Sequence, residues 1–224
     1  MLEAVETREA PITYFFPGMG VSDKMYYHQR TLPFKKVFFN WMDPLPKEDI
    51  TAYAKRYIEK IDLTKDVNLV GTSFGGIVVV EIAKQIKTKK VVIISSMKNN
   101  KQFHLGLKIF KFIPLHKIMP TKRPPMNRKI ISRIFGISSE KELDYFIDMV
   151  SEFDFKYIKW CVGQLIGWKN KELLPKIISI MGDKDLLFSA RKDNADIVVK
   201  GGTHYMVIER YGIINEHLTR IING

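Results

Sequence analysis

Cysteine is almost absent: Cys161 is the only one among 224 residues. No intramolecular disulfide can form and no thiolate metal cluster can be assembled. That fits a reducing compartment, and a cytoplasmic location is expected. No apolar run approaches the roughly 18 residues of a membrane-spanning helix. The opening Met1-Leu2-Glu3-Ala4-Val5-Glu6 is acidic and has no apolar core, so no secretory signal is expected. H-E-x-x-H and G-x-x-x-x-G-K-[ST] motifs are missing. Gly18-Met19-Gly20 follows a strand-like run, but Asp23 stands where a third glycine would complete a dinucleotide fingerprint. Metal and nucleotide chemistry therefore have no sequence support, and internal repeats and low-complexity tracts are also lacking.

Acidic residues are missing from one stretch. Lys98 to Arg133 contains ten lysines and arginines and no acid, while Glu140 to Asp154 carries six acids. Most of the net charge of +12 sits in that basic segment. Beside it runs an apolar stripe of Phe103, Leu105, Ile109 and Phe112. A basic amphipathic segment can lie on an anionic membrane surface or steer an anionic substrate. The alternative is that the neighbouring acids fold back and pair with it. Basic charge alone is non-specific and does not argue for nucleic acid.

The composition, 46% hydrophobic and 12% aromatic, is that of a globular chain, and the length suits one domain with an insertion. Short apolar runs near residues 12, 37, 67, 91, 177 and 197 read as six strands. Between them lie helical patterns: Pro46 to Asp62, Phe74 to Lys87, and Tyr205 to Asn223, with a loop or short helix from Ser22 to Arg30. Alternating strands and helices imply an α/β fold with a mostly parallel sheet covered on both faces. The gap from Ser95 to Ile177 is too long for a simple crossover. It holds a helical pattern from Phe103 to Phe112 and another from Glu140 to Gly167, broken once. The expected organisation is a core over 1–97, a helical cap inserted over 98–165, and the rest of the core over 166–224.

Gly71-Thr72-Ser73-Phe74-Gly75 is a G-x-S-x-G pentapeptide between a β-prone run and a helical one. Strand, sharp turn and helix are what a nucleophile elbow needs: the serine hydroxyl is held clear of the sheet at a helix N-terminus. Later, Ile177–Met181 ends in Gly182-Asp183-Lys184-Asp185, and Ile197–Val199 ends in Gly201-Gly202-Thr203-His204. Serine, acid and histidine thus follow in one order, each just after a strand. His28, His104, His116 and His217 lack such a context.

On these residues the chain resembles the α/β-hydrolase fold superfamily, as a small capped serine hydrolase of carboxylesterase type. The resemblance covers essentially the whole chain. It implies a catalytic triad with Ser73 as nucleophile, His204 as general base and an acid that orients it. Two acids compete. Relatives carry Gly-x-x-Asp here, which favours Asp185 and leaves Asp183 as a turn residue. The resemblance also implies an oxyanion hole of two backbone N–H groups: Phe74, after the nucleophile, and Met19, in the Pro17-Gly18-Met19-Gly20 loop. Relatives often have histidine where Pro17 stands, so the anchoring of that loop is open. The expected activity is cleavage of a carboxylic ester or similar acyl substrate through an acyl-enzyme, with no cofactor. A thioesterase, carbon–carbon hydrolase or lyase on the same triad, or a non-catalytic ligand-binding homologue, are the alternatives.

Overall fold

The computed structural model describes residues 10–99, 102, 127–171, 174, 177–188 and 195–224. The expected helix from Phe103 to Phe112, with most of the acid-free basic segment and its apolar stripe, lies outside the described residues. The strands are β1 (Ile12–Phe16), β2 (Lys36–Phe38), β3 (Val67–Thr72), β4 (Lys90–Ile94), β5 (Ile177–Gly182) and β6 (Ile197–Val199). The helices are α1 (Ile50–Ile58), α2 (Phe74–Ala83), α3 (Arg128–Phe135), α4 (Glu140–Ser151), α5 (Phe155–Gly167), α6 (Met206–Glu209) and α7 (Tyr211–Asn223). Two 3₁₀ turns, Asp23–Tyr26 and Gln29–Thr31, occupy the Ser22–Arg30 segment.

The six strands form one sheet in the order β2-β1-β3-β4-β5-β6, and every pair is parallel. Nearly continuous apolar strands demand cover on both faces, and two cores provide it. Ile12, Tyr14 and Phe16 of β1, with Leu69 and Ile93, point to the side of α1, α2, Tyr157, Cys161 and Trp168. Phe15, Val70, Val92 and Ile180 point the other way, onto α4, α6 and α7. This is the period-two alternation of a strand seen from both sides. Nine of the ten residues of α2 are buried, as a helix apolar all round must be.

Chain order reverses at β1 and β3. The chain leaves β1 for β2 on one side and returns to β3 on the other, so the carboxyl ends of β1 and β3 open a crevice, the place where open α/β sheets bind ligands. Phe16 is level with Gly71 across that pair. The loop Pro17–Gly20 and Ser73 therefore emerge side by side.

Several elements are shorter than the sequence pattern suggests. Helix α1 begins at Ile50 rather than Pro46, because the Asp49 side chain accepts from the Ala52 N–H and caps it. The final helical pattern bends at Arg210 (φ −116°, ψ 29°) into α6 and α7. Met206, Val207 and Ile208 are all buried, whereas α7 buries the single stripe Ile214, Leu218 and Ile222. One straight axis could not do both. The Glu140–Gly167 pattern breaks once, at Glu152–Asp154, where Asp154 caps α5 through the Lys156 N–H. Among the described residues, Glu140 and Asp144 pair with Arg128, and Glu152 pairs with Lys24 outside the basic segment. No helix of the described residues is long and apolar enough to cross a membrane.

Candidate active site

Strand β3 ends at Thr72 and α2 starts at Phe74, so Ser73 alone makes the turn. Its backbone stands at φ 54°, ψ −119°. A non-glycine residue there stores on the order of 1–3 kcal/mol of strain, which the surroundings must hold. Three hydrogen bonds do so. The Ser73 N–H donates to the Ile94 carbonyl at 2.9 Å, and the Gly76 N–H donates to the Ser73 carbonyl at 3.0 Å. The Ser96 hydroxyl also donates to the Ser73 carbonyl, at 2.6 Å. The glycines serve close approach. A Cβ on Gly71 would fall 2.6 Å from the Gly76 nitrogen, and one on Gly75 would run into the Phe16 and Pro17 carbonyls. Helix and strands can be this near only without those side chains.

His204 is delivered by the loop after β6 and Asp185 by the loop after β5. Backbone bonds lace the two loops together: Asp183 N–H to the Val199 carbonyl at 3.2 Å, and Lys184 N–H to the Gly202 carbonyl at 2.9 Å. The Asp183 carboxylate accepts from the Gly201 N–H at 2.6 Å. Asp183 is thus occupied in joining loops. Asp185 faces inward: its Oδ2 stands 2.9 Å from His204 Nδ1, and His204 Nε2 stands 3.0 Å from Ser73 Oγ. The other oxygen, Asp185 Oδ1, accepts from the N–H groups of Leu187 at 2.8 Å and Phe188 at 3.0 Å. Both side chains of the His204–Asp185 pair are almost wholly buried, and the imidazole lies between the rings of Phe135 and Phe188.

Burial by itself would push the Asp185 pKa up. The His204 charge and the hydrogen bonds from His204, Phe188 and Leu187 outweigh burial and hold the carboxyl below its ordinary value. Asp185 is therefore an anion at neutral pH. An anion fixing one imidazole nitrogen, with the other nitrogen on a hydroxyl, is an arrangement in which the ring can take the hydroxyl proton and have its positive charge stabilised.

Beside Ser73 runs the loop Pro17–Gly20, close enough that a Cβ on Gly18 would lie 3.7 Å from Ser73 Cβ. Its peptide groups are tied from behind. The Gly18 N–H donates to Met25 Sδ at 3.1 Å, and the Gly18 carbonyl accepts from Trp41 Nε1 at 2.8 Å. Beneath, the Tyr26 hydroxyl donates to the Phe16 carbonyl at 2.7 Å and sits 2.8 Å from Thr72 Oγ1. The tyrosine proton is spent on Phe16, so Thr72 donates to Tyr26. This joins the ends of β1 and β3.

A cavity of about 250 Å³ opens over Ser73. Its walls are Met19, Met25, Ile134 and Phe135 of α3, Phe146 and Met149 of α4, Val162, Leu165 and Ile166 of α5, and Leu187 and Phe188. The helices between β4 and β5 thus form much of its wall. Of the described lining residues, only Thr72, Ser73, His204 and Tyr205 have polar side chains. Thr72 is engaged with Tyr26, and the Tyr205 hydroxyl with Glu142 at 3.3 Å. Among the described side chains of the lining, that leaves Ser73 and His204 to meet a ligand. Among the described residues no group of three or more His, Cys, Asp or Glu could hold a metal ion.

The structure brings together Ser73, His204 and Asp185; Met19 shares the cavity lining with Ser73, and Phe74 follows Ser73 at the start of α2. Sequence reading missed the supports: Ser96, Met25, Tyr26 and Trp41. Each acts across more than six residues of sequence, with no motif to mark it.

No protein-family model matches the chain, and no curated protein matches it in sequence. Solved structures do match. A thermophilic esterase from Thermogutta terrifontis superposes with a TM-score of 0.73 at 13% identity, over 94% of this chain and 88% of that one. A hydrolase from Pseudomonas aeruginosa gives 0.72 at 13% identity, over 96% and 91%. The enol-lactonase from Burkholderia xenovorans gives 0.67 at 14% identity, over 96% and 92%. The chain has the α/β-hydrolase fold.

Proposed function

We propose that this protein is a serine hydrolase that cleaves a carboxylic ester or a similar acyl substrate through an acyl-enzyme on Ser73. One observation carries the reading: the unbroken hydrogen-bond chain Asp185–His204–Ser73, ending on a serine held at positive φ. A structural serine has no need of that backbone strain or of a buried imidazole–carboxylate pair. The names of the structural neighbours, which include esterases and lactonases, point the same way.

In the proposed reaction, Ser73 Oγ attacks the substrate carbonyl carbon while His204 Nε2 takes its proton. The carbonyl oxygen gains a negative charge and is received by the backbone N–H groups of Met19 and Phe74. When the tetrahedral intermediate collapses, the bond to the leaving group breaks and His204 returns the proton to it, leaving the acyl group on Ser73. Water then attacks the acyl carbon, His204 takes one of its protons, and the acid departs as Ser73 recovers its hydrogen. Asp185 remains an anion throughout and stabilises the imidazolium of each step.

The cavity supports a substrate class. Among the described residues its walls carry no charge and no free polar side chain other than the reacting ones, which suits an apolar, uncharged group. At about 30 Å³ for each water-sized group, a volume of about 250 Å³ has room for about eight such groups. A short or medium alkyl or aryl acyl chain fits that space.

A fluorophosphonate probe tests the assignment. Purified protein should be labelled, and Ser73→Ala should lose both the label and the hydrolysis of short p-nitrophenyl esters while keeping its melting temperature. Labelling that persists in the variant would mean another nucleophile.

A further inference from the structure

The open question about the loop after β1 was its anchoring, since Pro17 replaces the usual histidine. The structure offers an answer in a residue on another segment. Trp41 follows β2, beyond Phe39 and Asn40, and its indole N–H reaches the Gly18 carbonyl at 2.8 Å. We propose that Trp41 is a positioning residue for the oxyanion hole: it holds the peptide whose N–H is the Met19 donor and braces the residue that supplies the Phe74 donor. This inference rests on the serine-hydrolase reading above.

The Gly18 carbonyl and the Met19 N–H belong to one peptide unit. The bond is trans, as are all those described, so its C=O and N–H point in opposite directions across a rigid plane. Fixing the carbonyl fixes the N–H. Gly18 and Met19 line the cavity with Ser73, whereas Trp41 is not among the described lining residues. A carbonyl drawn back towards Trp41 turns the Met19 N–H the other way. The indole bond also polarises the amide and makes its N–H a better donor. The only other described contact on that carbonyl is a long one, from the Val21 N–H at 3.4 Å.

The same side chain meets the second donor residue. The Trp41 ring packs edge-on against Phe74, with centroids 5.6 Å apart and planes at 64°. It is itself wedged among Tyr53, Tyr57 and Tyr157. Tyr57 in turn donates to the Asn40 carbonyl at 3.0 Å and accepts from the Met42 N–H at 2.9 Å, clamping the backbone on both sides of Trp41. A rigid aromatic cluster thus carries one donor to Gly18 and one face to Phe74. Histidine in the loop would supply such an anchor locally; here it comes from the segment that follows β2.

The test removes the indole donor and keeps the ring. Trp41→Phe, and a second variant carrying 3-benzothienylalanine at position 41, in which sulfur replaces the N–H without changing the ring shape, are compared with wild type. Expected is a fall of about tenfold in kcat for a p-nitrophenyl ester, the value of one hydrogen bond expressed in the transition state, with KM unchanged. Affinity for a trifluoromethyl ketone, which forms a tetrahedral adduct on the serine, should fall by the same factor. Binding of the product acid should not change. A merely structural role would lower melting temperature and ground-state binding together. Wild-type kcat and ketone affinity in the benzothienyl variant would overturn the role of Trp41 and leave the hydrolase reading intact. If Ser73→Ala retains activity, the hydrolase reading itself fails, whatever Trp41 does.

Discussion

Asp185→Asn separates catalysis from loop structure, because Asp183 lies two residues away and provides the control. In the folded protein, Asp185 Oδ1 accepts from two backbone N–H groups and Oδ2 faces His204 Nδ1 at 2.9 Å. An asparagine keeps its oxygen on the two backbone donors, so its amide nitrogen turns towards the imidazole. Two losses follow. The imidazolium formed during reaction has no anion beside it: with both charges delocalised and their centres about 4 Å apart, an effective dielectric near 20 gives about 4 kcal/mol, or about a thousandfold in rate. In addition, an N–H donated to Nδ1 places the ring proton on Nε2, where it cannot accept from Ser73. The loss in kcat should therefore be at least about a thousandfold. Asp183→Asn still offers an oxygen to the Gly201 N–H, so its kcat should change by less than about tenfold. Steady-state hydrolysis of a short p-nitrophenyl ester measures both, with melting curves to confirm folding. An Asp185→Asn enzyme within tenfold of wild type, or an Asp183→Asn enzyme that is the worse of the two, refutes the role of Asp185.

Val162 lines the cavity on α5 and is only partly buried, so Val162→Phe should intrude into the pocket. The longest acyl ester that wild type accepts should lose about tenfold or more in kcat/KM, as expected when a chain outgrows its pocket, while the acetyl ester changes little; equal losses on both would show that the acyl group lies elsewhere. The depressed pKa of Asp185 has a signed consequence for stability. Its ionic partnership stabilises the fold above the ordinary aspartate value of about 3.9, and the contribution is lost as pH falls through the lower folded value. The stability difference between wild type and Asp185→Asn, followed by denaturant melts, should therefore shrink on acidification, and a difference that grows would contradict the shift.

Much of the architecture was legible because parallel strands buried on both faces are apolar nearly throughout. Ile12–Phe16, Val67–Val70, Val91–Ile94 and Ile177–Met181 have that character, with Thr13, Asn68 and Ser179 as buried polar exceptions, and each is a strand. Lengths were less legible. The expected helix from Pro46 to Asp62 exceeds α1 by about a turn at each end: the apolar pattern runs on to Ile61 past the end of α1 at Ile58, and it begins only at Ile50. The actual start is decided by a single carboxylate, Asp49, reaching the Ala52 N–H. The bend at Arg210 depends on which surfaces α6 and α7 meet, and a one-dimensional pattern does not record that.

The site divides along the same line. Ser73, Asp185 and His204 could be read because each follows a strand and a glycine turn, and a parallel sheet brings the carboxyl ends of its strands to one edge. Order along the chain then becomes proximity in space. The supports obey no such rule. Ser96, Tyr26 and Trp41 reach Ser73, Phe16 and Gly18 from neighbouring strands and loops, and their partners are backbone carbonyls, which every residue has. A side chain that recognises a backbone group leaves no complementary letter in the sequence. Yet those bonds set the angles at which the Ser73 turn and the Gly18–Met19 peptide stand, and a donor misplaced by about 1 Å can cost about a hundredfold in rate. The candidate site residues of this chain are written in its motifs, whereas their alignment is written in contacts that only the folded chain displays.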